Sequence, residues 1–264
     1  MASFHVIAGA SDTPENPAIR RIGLLDLRHA LAKGWDDFSA FPSQALFIVI
    51  IYPIVGFVLL QLALGNATLP LVFPLVAGFA LVGPLAAVGL YELSRRRELG
   101  LDTHWTHAFG VLKSPSIFAI AALGVVLLIL FSAWMMSAHA IYMALMGPYA
   151  PDSAFAFLHD VLTTERGWML IVIGNAVGFV FAAVVLMIGA ISFPMLVDRD
   201  VGAAVAVWTS IRTAIANPVA MGAWGFIVGS LLLLGSLPFF VGLAVVMPLL
   251  GHASWHLYRR AVAR

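Results

Sequence analysis

No cysteine occurs anywhere in the 264 residues. That excludes disulfides, thiolate metal sites and a cysteine nucleophile, and it leaves the redox compartment unread. Charge is scarce as well: Asp, Glu, Lys and Arg make up 10% of the chain, with a formal net charge of +1, where soluble domains carry about 25% charged residues. From Pro42 to Leu90 there is no charged residue at all. No Gly-x-Ser-x-Gly elbow, P-loop or dinucleotide-binding glycine motif is found, so the sequence announces no catalytic chemistry, and the protein is expected not to be an enzyme. The first nineteen residues lack a basic region followed by an apolar run, and so resemble neither a secretory signal nor a transit peptide. Ala2 stands where myristoylation needs glycine. Residues 1–21 are expected to be a disordered cytosolic tail.

What the chain has is apolar surface. It is 62% hydrophobic with a mean hydropathy of +1.00, well beyond the roughly 45–50% apolar content of soluble proteins. The class is integral membrane. Because about 20 apolar residues cross a bilayer, the long runs divide into six predicted spans: span 1 near Ala45 to Leu64, span 2 near Leu71 to Tyr91, span 3 from Ile117 to Met146, span 4 from Trp168 to Leu196, span 5 from Val219 to Leu234 and span 6 from Phe239 to Leu257. Pro53, Pro74 and Pro84 fall inside the first two, which membrane helices tolerate where neighbours satisfy the freed carbonyls. The predicted fold is an all-α bundle of six transmembrane helices in one membrane domain, residues 22–264.

Lys and Arg set the topology. Thirteen of the fourteen fall on one side of the six-span arrangement, and only Arg166 falls on the other. The positive-inside rule places that side, with both termini, in the cytosol. Among the cations, Arg95, Arg96, Arg97, Arg259 and Arg260 flank spans where they would fix topology or meet lipid headgroups. The loop Gly147 to Gly167 is then external and acidic, and Phe155, Leu158, Val161 and Leu162 mark a short surface helix within it.

Three amphipathic segments precede spans 1, 3 and 5. In the first, Leu24, Leu27, Leu31, Trp35, Phe38 and Phe41 recur at steps of three or four between charged residues. This helix suits the headgroup plane or, equally, a position packed on the cytosolic ends of the spans. The stretch Tyr91 to Pro115 recurs in weaker form from Asp198 to Pro218, where Val201, Ala204, Trp208, Ile211 and Ile215 share a face. Trp105 to Pro115 has the spacing of Trp208 to Pro218, and Arg97-Glu98-Leu99-Gly100 parallels Arg199-Asp200-Val201-Gly202. Ser114-Pro115 and Asn217-Pro218 both read as a cap with Pro at the helix start. The pattern predicts three parallel repeats, 22–98, 99–200 and 201–264, each an amphipathic helix and a transmembrane hairpin.

Candidate site residues are few. The interior polar groups Gln61, Ser132, Asn175 and Ser192 are of a kind that more often joins helices than binds substrate. Glu92, at the cytosolic end of span 2, has Arg96 at i+4 as a partner. His104 with His107, and His252 with His256, are spaced to share a helical face, as metal-binding pairs are. His104 and His107 are weak metal candidates, and His139, His252 and His256 are weak candidates for a cofactor such as haem. No third ligand lies near either pair, so no cofactor is expected. Gly174 with Gly178, and Gly225 with Gly229, permit close helix approach.

Gly34-Trp35-Asp36-Asp37-Phe38, followed by Pro42 and two spans, together with the joint Tyr91 to Gly100, resembles a family of predicted bacterial six-span integral membrane proteins, a domain of unknown function. Members are sometimes labelled as similar to cytochrome c oxidase subunit I. That enzyme needs twice as many spans and several intramembrane His ligands, whereas only His139, His252 and His256 are available here, so a catalytic oxidase subunit is rejected. The resemblance implies a multi-pass protein of the bacterial plasma membrane. The leading expectation is a non-enzymatic accessory, scaffold or assembly protein with the lipid bilayer, and subunits of a membrane complex, as partners and with no nucleic acid. A transporter of a small apolar molecule or lipid, with a cavity lined by Gln61, Asn175 and His139, is the alternative, and haem or metal binding is the third.

Overall fold

Prolines and small residues decide how this chain folds. The computed structural model describes residues 17–40, 56, 69–237 and 241–263, and among these every regular element is helical. Span 1, with Gln61 and Pro42, lies outside the described residues. The helices are α1 (Leu24–Ala40), α2 (Val72–Phe79), α3 (Val88–Glu98), α4 (Ile117–Met146), α5 (Ala154–Thr163), α6 (Glu165–Gly189), α7 (Ser192–Asp198), α8 (Gly202–Ala216), α9 (Pro218–Ser236) and α10 (Leu243–Ala261). Short 3-10 turns cover Leu69–Leu71 and Ala80–Val82, a single α-helical turn covers Gly83–Ala86, and a longer 3-10 segment covers Trp105–Lys113.

Four stretches are long and apolar enough to cross a membrane: Leu69–Glu98, Ile117–Met146, Glu165–Asp198 and Pro218–Ser236. They correspond to predicted spans 2 to 5, and α4 has the predicted limits. The first is broken into short helical pieces: Pro84, which lacks the N–H that would continue the ladder, follows the 3-10 turn Ala80–Val82, whereas Pro74 is accommodated in the first turn of α2, where that N–H has no partner to lose. Predicted span 6 corresponds to α10, which is not among the four; Arg259 and Arg260 occupy its last turn. Phe118, Ile129, Phe179, Val219 and Phe226 stand exposed on the apolar helices. In water such surface costs roughly 25 cal/mol per Å², and in hydrocarbon it costs nothing.

The described residues fall into two compact units, one comprising 17–40, 83–125, 186–237 and 241–263 and the other 56, 69–82 and 126–185. The second unit packs around Trp134, whose Nε1 donates to the Pro74 carbonyl at 2.7 Å. A Cβ on Gly78 would lie 2.6 Å from that indole, and one on Gly178 would lie 3.0 Å from it. Phe181 meets the same ring at 5.8 Å between centroids. A short helix forms as expected in the 147–167 loop as α5, capped by Ser153, whose Oγ accepts from the Ala156 amide at 3.1 Å.

The first unit is built on α10, and α1 packs on it more extensively than any other pair of elements packs together. The buried face of α1 is Leu27, Ala30, Gly34 and Asp37; of the predicted stripe Leu24, Leu27, Leu31, Trp35 and Phe38, Leu27 alone is fully buried and Leu31 packs at its edge. Small side chains win the interior because the backbones approach closely: a Cβ on Gly34 would sit 2.7 Å from both the Cβ and the backbone nitrogen of Ala253. Leu24 and Trp35 are left exposed. The same inversion occurs in α8, where Gly202, Ala206, Thr209, Ser210 and Thr213 are buried and Trp208 and Ile215 are exposed. Thr209 and Thr213 satisfy their hydroxyls on the carbonyls four residues back, Val205 and Thr209, at 2.8 Å each.

Of the close-approach glycine pairs, a Cβ on Gly178 or Gly225 would meet a neighbour, and one on Gly174 or Gly229 would meet none among the described residues. Gly100 and Gly202 both have positive φ, 69° and 75°, so the paired joints do turn through the same left-handed conformation that favours glycine. The segments after the two turns differ, a 3-10 segment in one case and an α-helix in the other.

The expectation of a disordered tail fails over residues 17–21. Ile19 and Val262 form an antiparallel bridge, with Arg20 N donating to Ala261 O at 2.8 Å and Ala263 N to Ala18 O at 2.9 Å. Asn217, predicted as a helix cap, uses its side chain instead to hold this strap, accepting from Ile22 N at 2.9 Å and donating to Arg20 O at 3.1 Å. Pro218 does occupy the helix start.

Candidate functional site

In the first unit the last turns of α1 and α3 meet the polar C-terminal half of α10. The step of seven from Leu27 to Gly34 and from Ala30 to Asp37 carries the buried stripe of α1 to its last turn, so Asp37 enters the interior on the same face as the glycine that lets α10 approach. It is 4% exposed. From α10, the i,i+4 pair His252 and His256 presents both rings to it, and from α3 come Ser94 and Arg97.

The bonds can be accounted for atom by atom. Asp37 Oδ2 accepts from Ser94 Oγ at 2.6 Å and from His256 Nε2 at 2.8 Å. Asp37 Oδ1 accepts from Arg97 Nη1 at 2.7 Å. The single Ser94 proton is spent on the carboxylate, so the contact of 2.7 Å between Ser94 Oγ and His252 Nδ1 is one in which the imidazole N–H donates. Burial opposes ionisation of Asp37, but the His256 and Ser94 hydrogen bonds and the nearby imidazoles outweigh it and hold the carboxyl below its ordinary 3.8.

A second group adjoins the first. Arg259 binds Glu98 Oε1 at 2.9 Å and Asp198 Oδ2 at 3.2 Å. Trp255 Nε1 donates to Glu98 Oε2 at 3.1 Å, and Tyr258 Oη to Asp198 Oδ2 at 2.7 Å. Two cavities of about 370 Å³ each open beside these groups: one against Lys33, Asp37, Arg97 and Arg260, and one against Arg95, Asp198, Arg199 and Trp255.

Serine, histidine and aspartate in contact invite comparison with a hydrolytic triad, and the geometry differs from one. There, imidazole stands between hydroxyl and carboxylate as the proton carrier. Here the hydroxyl bonds the carboxylate directly, and Ser94 is 1% exposed. The arrangement serves as a clamp: an ionised carboxylate with three charge-assisted or strong donors, joining α1, α3 and α10.

The other predicted residues scatter. His104 Nδ1 meets Thr106 Oγ1 at 2.9 Å, and His107 Nε2 meets Asp102 Oδ2 at 2.9 Å. Among the described residues no three His, Cys, Asp or Glu gather as a metal-ion site. His139 lies exposed on α4. Ser132 and Asn175 bond the carbonyls of Leu128 and Ile171 on their own helices, at 2.9 and 2.8 Å, and Ser192 bonds Ile188 in the same way. Glu92 is held more closely by Arg95, at 2.7 Å, than by the anticipated Arg96, at 3.8 Å. The five flanking arginines all sit in ion pairs: Arg95 and Arg96 with Glu92, Arg97 with Asp37, Arg259 with Glu98 and Arg260 with Asp26.

Asp37, Ser94, Glu98, Asp198 and Asn217 were not among the predicted site residues. The available signal was the buried seven-residue step on α1 and the fact that the two stretches carrying the family resemblance, 34–38 and 91–100, both contain hydrogen-bonding side chains. The structure brings those two stretches together on His252 and His256. Residues 72–198 match the model of the DUF2189 family, described as a predicted integral membrane protein. The match takes in α3 and its joint but not α1 or α10, so two of the three helices of the clamp lie outside it. No curated protein and no solved structure matches the chain.

Proposed function

We propose that the chain is a non-enzymatic accessory, scaffold or assembly protein of a bacterial plasma membrane, with six spans, three repeated units and both termini in the cytosol. The observation that carries this reading is the Asp37 clamp, whose donors and acceptors are matched within the protein and tie α1 to α3 and α10. A platform for other membrane proteins gains from such a fixed end, whereas alternating access needs elements that part and rejoin. The four apolar stretches correspond to spans 2 to 5 of this arrangement, and α10 to span 6. Positive-inside charge orients them. Exposed Trp35, Trp105 and Trp208 suit the headgroup plane, where indoles concentrate.

A transporter of an apolar molecule has less support, since Asn175 spends its amide on its own helix and His139 is exposed. The test is crosslinking in native membranes followed by purification in mild detergent. The scaffold reading predicts a constant set of membrane proteins crosslinked to α1, to the 105–113 segment and to α8, in near-stoichiometric yield. Recovery of the chain alone after efficient crosslinking would overturn it.

A further inference from the structure

We propose that the outer faces of α1, the 105–113 segment and α8 lie on an anionic bilayer surface, with Arg28, Lys113 and Arg212 as the residues that bind acidic lipid headgroups. The five arginines that flank the spans are spent on carboxylates within the protein, as are Lys33 and Arg199. By contrast, the side chains of Arg28, Lys113 and Arg212 enter no ion pair or hydrogen bond among the described residues. Each amphipathic segment thus keeps one cation for a counter-charge outside the chain.

The neighbours of these cations decide what they meet. On α1 the helical repeat sets Arg28 on one stripe with Leu24, four residues before it, and Trp35, seven after, both exposed. The carboxylates of that helix lie off the stripe, where Asp26 pairs with Arg260 and Asp36 with Lys33. Arg212 is the one Lys, Arg, Asp or Glu on α8, and it stands four residues after exposed Trp208 and three before exposed Ile215. Lys113 closes the 105–113 segment directly after exposed Leu112, and Phe109 is exposed one turn earlier. Arg21 adds charge beside the end of α8, where its Nη1 donates to Ala216 O at 2.7 Å. A bilayer satisfies both halves of such a face: its interface takes up the apolar side chains while the long stem of Arg or Lys carries the charge to a phosphate. An apolar protein surface would bury the cation without a counter-charge.

Connectivity brings these faces to the membrane. The 105–113 segment joins the stretch Leu69–Glu98 to Ile117–Met146, and α8 joins Glu165–Asp198 to Pro218–Ser236. Two crossings separate the joins, so both open on one side of the bilayer. Arg97, at the end of the first stretch, holds α1 on that side through Asp37 at 2.7 Å. The inference rests on the headgroup-plane position of Trp35, Trp105 and Trp208 and does not depend on the scaffold role.

The full chain has no cysteine, so Ala32→Cys, one turn after Arg28, and Gly110→Cys, one 3-10 turn before Lys113, each take a single bimane label at an exposed position. The labelled full chain is reconstituted in vesicles of phosphatidylcholine and phosphatidylglycerol, with one lipid brominated at a time to quench the label. The ratio of the two quenching efficiencies gives the local preference for the acidic headgroup. That preference should fall about fivefold at position 32 in Arg28→Gln and about fivefold at position 110 in Lys113→Gln, each leaving the other site unchanged. A misfolded variant disturbs both sites, so a loss confined to one reads the cation itself. Lys33→Gln changes net charge equally but removes a cation already paired with Asp36, and it should alter either site by less than about twofold. This pattern supports the proposal. Equal quenching by the two lipids in the wild type overturns headgroup binding and leaves the placement of the indoles standing. Equal loss in Arg28→Gln and Lys33→Gln overturns it as well, because net charge then sets the preference. Quenching by neither lipid assigns these faces to a protein partner and overturns placement and proposal together.

Discussion

Replacing Asp37 by Asn keeps the shape of the clamp and removes its charge. The amide has one acceptor oxygen where the carboxylate had two. If that oxygen faces Ser94 and His256, the NH₂ is set against Arg97 Nη1, now 2.7 Å from Oδ1; if it faces Arg97, the NH₂ is set against the donors at 2.6 and 2.8 Å. In the first orientation a donor opposes a donor, in the second Ser94 and His256 must reverse from donors to acceptors, and in both the remaining bonds lose their ionic assistance. Breaking a buried pair costs about 3–5 kcal/mol. Water can reach Arg97, whose side chain is 39% exposed, which lowers the expected cost to roughly 2–3 kcal/mol. That raises the population with α1 detached by about 30- to 150-fold.

Limited trypsinolysis of the full chain in mild detergent reads this directly, because Arg28 and Lys33 lie on α1 and cleavage tracks the opened fraction when reclosing is fast. Asp36→Asn is the control: Asp36 is exposed and, among the described residues, its side chain pairs with Lys33 alone, so it should change cleavage by less than about twofold. Equal cleavage in Asp37→Asn and Asp36→Asn would refute the reasoning.

The same contacts lead to three further outcomes. Because the folded carboxyl of Asp37 is held below 3.8, its contribution is fully present well above that pH and is lost as pH falls through the lower folded value; the gap in unfolding midpoint between the wild type and Asp37→Asn should be constant at neutral pH and close as pH falls below 3.8 through the folded value. Gly34→Val forces atoms into a gap where even a Cβ lies 2.7 Å from Ala253 backbone, so it should destabilise by about 1–3 kcal/mol, seen as a lower melting temperature and faster cleavage at Lys33. Asn217→Ala leaves the Ile22 amide and Arg20 carbonyl without their partner, at a cost of about 1–3 kcal/mol; hydrogen exchange over residues 17–23 should quicken while α4 is unaffected.

Apolar length is legible in the sequence because it is a sum over neighbours: the limits of α4 and the start of α9 at Pro218 match their predicted positions closely. Facial assignment is harder. On α1 and α8 the large apolar side chains have the spacing of an inner face, yet Ala30, Gly34, Ala206 and Gly202 occupy it, because bilayer and headgroup region supply an apolar exterior and close backbone packing rewards small residues. The histidine pair on α10 is visible from its spacing. Its partners are not, since Asp37 lies 219 residues from His256 and only the fold decides that Asp37, rather than the adjacent Asp36, turns inward. Asn217 is deceptive for a related reason: beside Pro218 it has the form of a cap, and its true partners are backbone groups 195 and 197 residues away.

The most direct test of the clamp is amide hydrogen exchange over α1 in the full chain reconstituted in lipid nanodiscs. The account predicts that the amides of residues 28–37 exchange as slowly as those of 250–258 on α10, and that Asp37→Asn accelerates both together. Exchange of 28–37 at the rate of an unattached surface helix, with 250–258 still protected, would contradict it.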